Sequence, residues 1–170
     1  MNSEKNLVFL GMMGSGKSSI GFLISKKLNL KFVDIDNVIE EEMGMVISNI
    51  FRKKGEAFFR NLEEKITLKM LKNNANVVSL GGGGFINTNI RKEVLNNHFS
   101  VWLNWDAEVL LNRIKKSKKR PLAFNSTDQE IINLMKTRNK LYSKANLKIN
   151  CNKLTKTEIV NKIIKIHEVS

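Results

Sequence analysis

One stretch constrains the fold of this chain more than any other. Gly11-Met12-Met13-Gly14-Ser15-Gly16-Lys17-Ser18 satisfies the pattern G-x-x-x-x-G-K-[ST]. It follows the apolar run Leu7 to Leu10 and leads into an apolar helical stripe at Ile20, Leu23, Ile24 and Leu28, so the context is strand, glycine loop, helix. The glycines let the backbone curl until amide hydrogens point at a β-phosphate, and the helix start adds its positive end. Lys17 can reach β- and γ-phosphates, and the Ser18 hydroxyl can ligate Mg²⁺. A chance match is expected in about one chain per hundred of this length, before the flanks are required. A glycine turn with a surface lysine is therefore a poor account, and Gly14, Ser15, Gly16, Lys17, Ser18 and Ser19 are candidate nucleotide contacts.

The rest of the chain supplies the frame such a loop needs. Apolar runs recur at Phe32 to Ile35, Val77 to Leu80, Phe99 to Leu103 and Leu147 to Cys151, with helical patterns between them. Further helical stripes run through Leu62, Ile66 and Met70, and through Ile159, Ile163 and Ile166. Thr127 with Glu130, and Thr155 with Glu158, have the spacing of capping boxes and place two late helix starts. Strand–helix alternation predicts an α/β fold with a mainly parallel sheet, helices on both faces, and ligands at the carboxyl ends of the strands. With 170 residues and no Gly/Ser/Pro linker, the expectation is one domain over 1–170. The basic segment Lys115 to Arg120 before Pro121, the only proline, marks a loop or lid.

Composition removes several classes. At 42% hydrophobic and 26% charged the chain is neither disordered nor a set of membrane spans, and Leu7 to Leu10 reads as a strand because no A-x-A cleavage site follows it. Cys151 is the only cysteine and His98 and His167 the only histidines. This excludes an intramolecular disulfide, fits a reducing cytoplasm, and leaves metal chemistry to oxygen ligands and so to Mg²⁺ or a relative. The net charge of +13 suits anionic partners, although a lysine-rich codon bias would produce it too.

Two further motifs carry chemistry. If the second strand runs through Asp34-Ile35-Asp36, alternation turns both carboxylates to one side, where one can hold magnesium water and the other take a proton. Alternatively Asp36 caps a helix running from Val38 to Phe51. Gly81 to Gly84 end the third strand, where bare backbone can approach a ligand.

In their order these residues resemble the shikimate kinases, small P-loop kinases with a nucleoside-monophosphate-kinase fold. Beside the phosphate loop, the resemblance includes Asp34-Ile35-Asp36, Ile39-Glu40, Gly44, Gly55-Glu56, Phe59-Arg60, Glu63, Gly81 to Gly83, Arg120-Pro121-Leu122 and Arg138 through Tyr142. It implies a three-layer α/β/α fold of the P-loop NTPase type, with a five-stranded parallel sheet and a lid at about 112–125. It also implies that Asp36, Arg60, Gly82 and Arg138 contact shikimate, the arginines gripping its carboxylate with their planar forks. Glu63, three residues from Arg60 on one helix, would orient that guanidinium. Arg120 resembles the lid arginine that closes on the phosphates, and Arg113 the arginine that stacks on adenine. Ser79 stands where many P-loop enzymes place an acid, so magnesium positioning would fall to Ser18, with Asp34 acting through water.

The expected activity is transfer of the ATP γ-phosphoryl group to the 3-hydroxyl of shikimate, with Lys17, Asp36 and Arg120 as the catalytic residues and Mg²⁺ as cofactor. The expected setting is a cytoplasmic monomer acting on small molecules, without nucleic acid or membrane. Two alternatives stand beside it. A sibling kinase acting on gluconate or a nucleoside monophosphate would share the loop. A basic RNA-binding module would use the Lys115 to Arg120 run, but aromatics are only 7% and none interleaves with that run as a base-stacking platform would.

Overall fold

The computed structural model describes residues 5–73, 75–115 and 126–169. Five strands, β1 (Leu7–Leu10), β2 (Lys31–Asp34), β3 (Asn76–Ser79), β4 (Phe99–Asn104) and β5 (Leu147–Asn150), form one parallel sheet in the order β2-β3-β1-β4-β5. The described helices are α1 (Lys17–Leu28), α2 (Ile35–Met43), α3 (Ile47–Leu71), α4 (Thr88–Asn97), α5 (Ala107–Lys115), α6 (Asp128–Tyr142) and α7 (Lys156–Val169), with a 3₁₀ turn at Gly84–Ile86. This is the α/β architecture expected from strand–helix alternation. None of the described helices is long and apolar enough to cross a membrane.

The strand order explains where helices lie. Parallel crossovers are right-handed, so connections running in opposite directions across the sheet occupy opposite faces. The β1→β2 connection runs one way and carries α1; the connections β2→β3, β3→β4 and β4→β5 run the other way. Accordingly α1 packs against α7, while α3 packs against α2 and α4. β1 lies in the centre with helices over both faces, and all four of its residues are buried, which is why Leu7-Val8-Phe9-Leu10 is apolar without alternation. The chain leaves β1 at the point where the order diverges, β3 to one side and β4 to the other. Such a switch point opens a crevice at the carboxyl edge of the sheet.

Several local expectations need correction. β2 stops at Asp34, and Asp36 lies in the first turn of α2, so strand alternation does not align the two carboxylates. Asp34 is itself the N-cap, its Oδ1 accepting from the Asp36 and Asn37 amides at 3.1 and 3.4 Å. The single helix expected from Val38 to Phe51 is broken at Gly44, which adopts φ 60° as a left-handed C-cap. Within α1, Ile20 and Ile24 are buried but Leu23 is 40% exposed, because a stripe of four apolar positions is wider than the face the sheet covers. The inward face of α3 includes Phe59, Glu63, Ile66, Thr67 and Leu71, with Leu62 and Met70 at its margins. Both capping boxes form at the expected positions.

Candidate functional site

The loop after β1 forms the first half of the site. Gly11, Gly14 and Gly16 adopt φ values of 142°, 78° and 90°, a region that residues with a Cβ seldom enter, and this is what curls the chain between strand and helix. α1 starts at Lys17 directly behind Gly16, so the helix N-terminus opens onto the loop. The buried Lys17 ammonium donates to the carbonyl oxygens of Gly11 and Met12 at 2.9 and 3.0 Å. Ser18 and Ser19 are exposed on the first turn. The Ser15 hydroxyl is buried without a hydrogen-bond partner among the described residues, and its carbonyl accepts from the Trp105 indole N–H at 2.9 Å.

The second half assembles around Gly81 to Gly83, at the end of β3. A methyl group built on Gly81 would lie 2.5 Å from Glu63 Oε1 and 2.7 Å from Asp36 Oδ1, and one on Gly83 would lie 2.5 Å from Arg60 Nη1. Absence of side chains here is what lets two carboxylates and a guanidinium crowd onto one stretch of backbone. Arg60 Nη1 donates to Glu63 Oε2 at 2.6 Å and its Nε to Glu56 Oε1 at 3.2 Å. Gly55, with φ 82° and ψ 168°, breaks α3 one residue before this Glu56–Arg60–Glu63 triad. Burial works against the Arg60 charge, but the Glu63 and Glu56 carboxylates outweigh it and hold the pKa above its ordinary value. Burial pushes the Glu63 carboxyl above its usual range, against the pull of Arg60 and Arg138.

From the other side, Arg138 on α6 donates from Nη1 to the Gly82 carbonyl at 3.0 Å, and the Tyr142 hydroxyl donates to the same oxygen. Tyr142 is one helical turn beyond Arg138, and burial raises its hydroxyl pKa to about 12, so it remains a donor. A Cβ on Gly82 would lie 3.4 Å from the Met13 amide, so the glycine stretch abuts the phosphate loop. Asp34 pairs with Ser79, and Ser79 with Phe9, across the carboxyl edge of the sheet, two residues before the loop begins.

The structure therefore brings Asp36, Arg60, Glu63, Gly82 and Arg138 together beside Gly14, Ser15, Gly16, Lys17, Ser18 and Ser19. Arg113 lies on α5 against the loop, its Cβ 3.6 Å from where a Gly14 methyl would project. Arg120, and the lid beyond Lys115 up to residue 125, lie outside the described residues. Sequence reasoning assigned no role to Tyr142 or Trp105. The four-residue spacing from Arg138 put Tyr142 within reach of the same carbonyl, whereas no sequence signal pointed to Trp105.

A loop that cradles phosphates beside a pocket bearing two arginines and a carboxylate suits transfer of a phosphoryl group to a small acid. The sequence profile described as shikimate kinase matches residues 13–168. The chain belongs to the shikimate kinase family. It is accordingly a kinase, and the family uses ATP as co-substrate. Among relatives, a shikimate kinase of a Sulfurihydrogenibium species is 41% identical over 94% of this chain and 96% of its own length. One from Bartonella henselae is 41% identical over 95% of this chain and 78% of its own. Among solved structures, an Acinetobacter baumannii shikimate kinase in complex with shikimate superposes with a TM-score of 0.92, at 29% identity, covering 98% of this chain and 94% of that one. The Aquifex aeolicus shikimate kinase gives 0.85 at 37% identity, covering 96% of both chains. A deoxyadenosine kinase from M. mycoides, 17% identical with a TM-score of 0.66 and covering 97% of this chain and all of its own, shares the fold.

Proposed function

We propose that the chain transfers the γ-phosphoryl group of ATP to the 3-hydroxyl of shikimate, giving shikimate 3-phosphate and ADP for chorismate and aromatic amino acid biosynthesis. The observation that carries this reading is the placement of Arg60, Arg138 and Asp36 around Gly81 to Gly83, directly against the phosphate loop. In this reading Arg60 and Arg138 bind the substrate carboxylate, and the buried Glu63 keeps the Arg60 fork in the plane that a bidentate contact needs. Gly82 lets the substrate ring approach the backbone, and the two donors on its carbonyl hold that backbone still.

Asp36 orients the hydroxyl and accepts its proton as the bond to phosphorus forms. Lys17 exchanges its two loop carbonyls for β- and γ-phosphate oxygens, and the loop amides with the start of α1 hold the β-phosphate. Arg113 stacks on the adenine. Arg120, outside the described residues, closes on the phosphates with the lid at 112–125 and helps exclude water. For Mg²⁺, the residues at hand fit: a serine hydroxyl at the helix start and a carboxylate already oriented by two backbone amides are hard oxygen donors, as this ion requires. Ser18 would ligate it and Asp34 would hold it through water; when bound, it neutralises charge on the phosphate oxygens. The working form in this reading is a single-domain cytoplasmic monomer that engages neither nucleic acid nor membrane.

The test is acceptor dependence. ADP release should require shikimate and fail with shikimate methyl ester, which offers the two guanidinium groups no carboxylate charge, and with gluconate and nucleoside monophosphates, whose acid groups and hydroxyls stand on differently shaped frames. Equal turnover of acid and ester would remove Arg60 and Arg138 from the substrate site.

A further inference from the structure

Trp105 joins two parts of the nucleotide side of the site that lie far apart in the chain. It sits just past the end of β4, is 8% exposed, and its N–H donates to the Ser15 carbonyl inside the phosphate loop at 2.9 Å. That bond leaves the indole little freedom to tilt. On its face lies Arg113, whose guanidinium carbon is 3.6 Å from the ring centroid, the separation of a close stack. Arg113 as a residue is exposed, and its helix α5 packs against Gly14 through Ile114 and the Arg113 Cβ. One face of the guanidinium is thus covered by an aromatic ring that is itself tied to the phosphate cradle.

We infer that Trp105 is a positioning residue for the nucleobase: it holds Arg113 flat and in register with the phosphate loop, so that a purine stacks on the opposite face of the guanidinium. The inference rests on the proposed role of Arg113 as the adenine platform. The physical reason is pre-organisation. A long, solvent-exposed arginine loses rotamer freedom when a base stacks on it, and binding weakens by that amount unless the side chain is already ordered. Stacking on indole orders it beforehand, and the Ser15 bond fixes the spacing between the base platform and the β-phosphate site. Pyrimidine nucleotides, with less ring area for the stack, should gain less from Trp105 than purines.

The experiment measures steady-state kinetics with ATP and shikimate varied separately, in Trp105→Leu, Trp105→Phe, Arg113→Ala and the Trp105→Leu/Arg113→Ala double variant. Trp105→Leu should raise the KM for ATP about three- to tenfold, while kcat and the KM for shikimate stay within about twofold. Trp105→Phe keeps a ring face and should fall between parent and Leu. The double variant should be no worse for ATP than Arg113→Ala alone, because Trp105 acts through that side chain. In a Trp102→Phe background, where Trp105 is the only indole, emission should change on adding ADP. A parental ATP KM in Arg113→Ala would overturn the adenine role of Arg113 and this inference with it. A raised KM in Arg113→Ala beside a parental KM in Trp105→Leu would overturn the role of Trp105 alone. Phe behaving like Leu, additive losses in the double variant, or emission indifferent to ADP would each overturn it as well, the last even if Trp105→Leu does not fold.

Discussion

Replacing single glycines of the Gly81 to Gly84 run by alanine should separate three roles that lie within four residues. The Gly81→Ala methyl meets Glu63 Oε1 at 2.5 Å and Asp36 Oδ1 at 2.7 Å, where ordinary contact begins at 3.4 Å. Relief requires the two carboxylates to retreat by about 0.9 and about 0.7 Å, since repulsion rises steeply below contact distance. Glu63 is buried and bound to Arg60, so the displacement cannot be absorbed at the surface. A shift of that size at a proton-accepting group costs on the order of a hundredfold in rate. We therefore expect kcat for shikimate-dependent ADP release to fall about a hundredfold in Gly81→Ala, with nucleotide affinity measured by titration calorimetry unchanged. Gly83→Ala presses on Arg60 Nη1, the far end of a flexible side chain, so its main effect should be a higher KM for shikimate. At Gly84 the same methyl would stand 3.7 Å from Glu63 Oε1 and from Leu80 Cβ, ordinary contacts, and Gly84→Ala should stay close to parent. Gly81→Ala turning over within twofold of the parent, or Gly84→Ala failing as badly as Gly81→Ala, would refute the placement of Asp36 and Glu63 as the origin of the effect.

Asp36→Asn preserves shape and removes the base, so kcat should drop by a factor on the order of 10² to 10⁴ while ADP binding persists; near-parental turnover would reduce Asp36 to a first-turn helix residue. His98, on the far edge of the sheet, accepts weakly from the Asn6 amide through Nδ1 at 3.4 Å and faces Glu93 at 3.6 Å. Burial lowers its pKa, with Lys5 adding to the shift and Glu93 opposing it. The unfolded chain then binds a proton more readily than the folded one, so stability is full above pH ~6.5 and declines as pH falls through the folded pKa. Denaturant midpoints between pH 7 and 5 should show this decline in the parent and a smaller one in His98→Gln. Cys151 is fully buried and its thiol is pushed up to about 11, so a thiol-specific reagent at pH 8 should label it at the rate of unfolding; immediate labelling would contradict the packing at the end of β5.

What could be read from the chain alone was whatever short-range geometry dictates. The phosphate loop declares itself because three positive-φ glycines, a lysine and a helix start must follow one another within eight residues. The five strands were legible within a residue or two at their ends because buried parallel strands are apolar runs, and both capping boxes because a cap and its partner are three residues apart. Asp34 and Asp36 were harder to read. A strand and a helix start make opposite statements about where i and i+2 point, and the outcome turned on Asp34 capping α2 rather than extending β2. The grouping of Arg60, Glu63 and Arg138 near Asp36 was available only through family resemblance.

The site itself is assembled by contacts that no local pattern encodes. Arg138 reaches Gly82 across 56 residues and Trp105 reaches Ser15 across 90, and both contacts follow from the order β2-β3-β1-β4-β5, which sets β3 and β4 on either side of β1. Sequence alone therefore determined the parts: a phosphate cradle, a parallel α/β frame, candidate acids and arginines. Only the tertiary structure decided that Glu63 is buried, that Tyr142 shares the Gly82 carbonyl, and that Trp105 lies under Arg113. The physical reason is range. Propensity, capping and periodicity act over a few residues, while the site depends on which strands become neighbours, a property of the whole sheet.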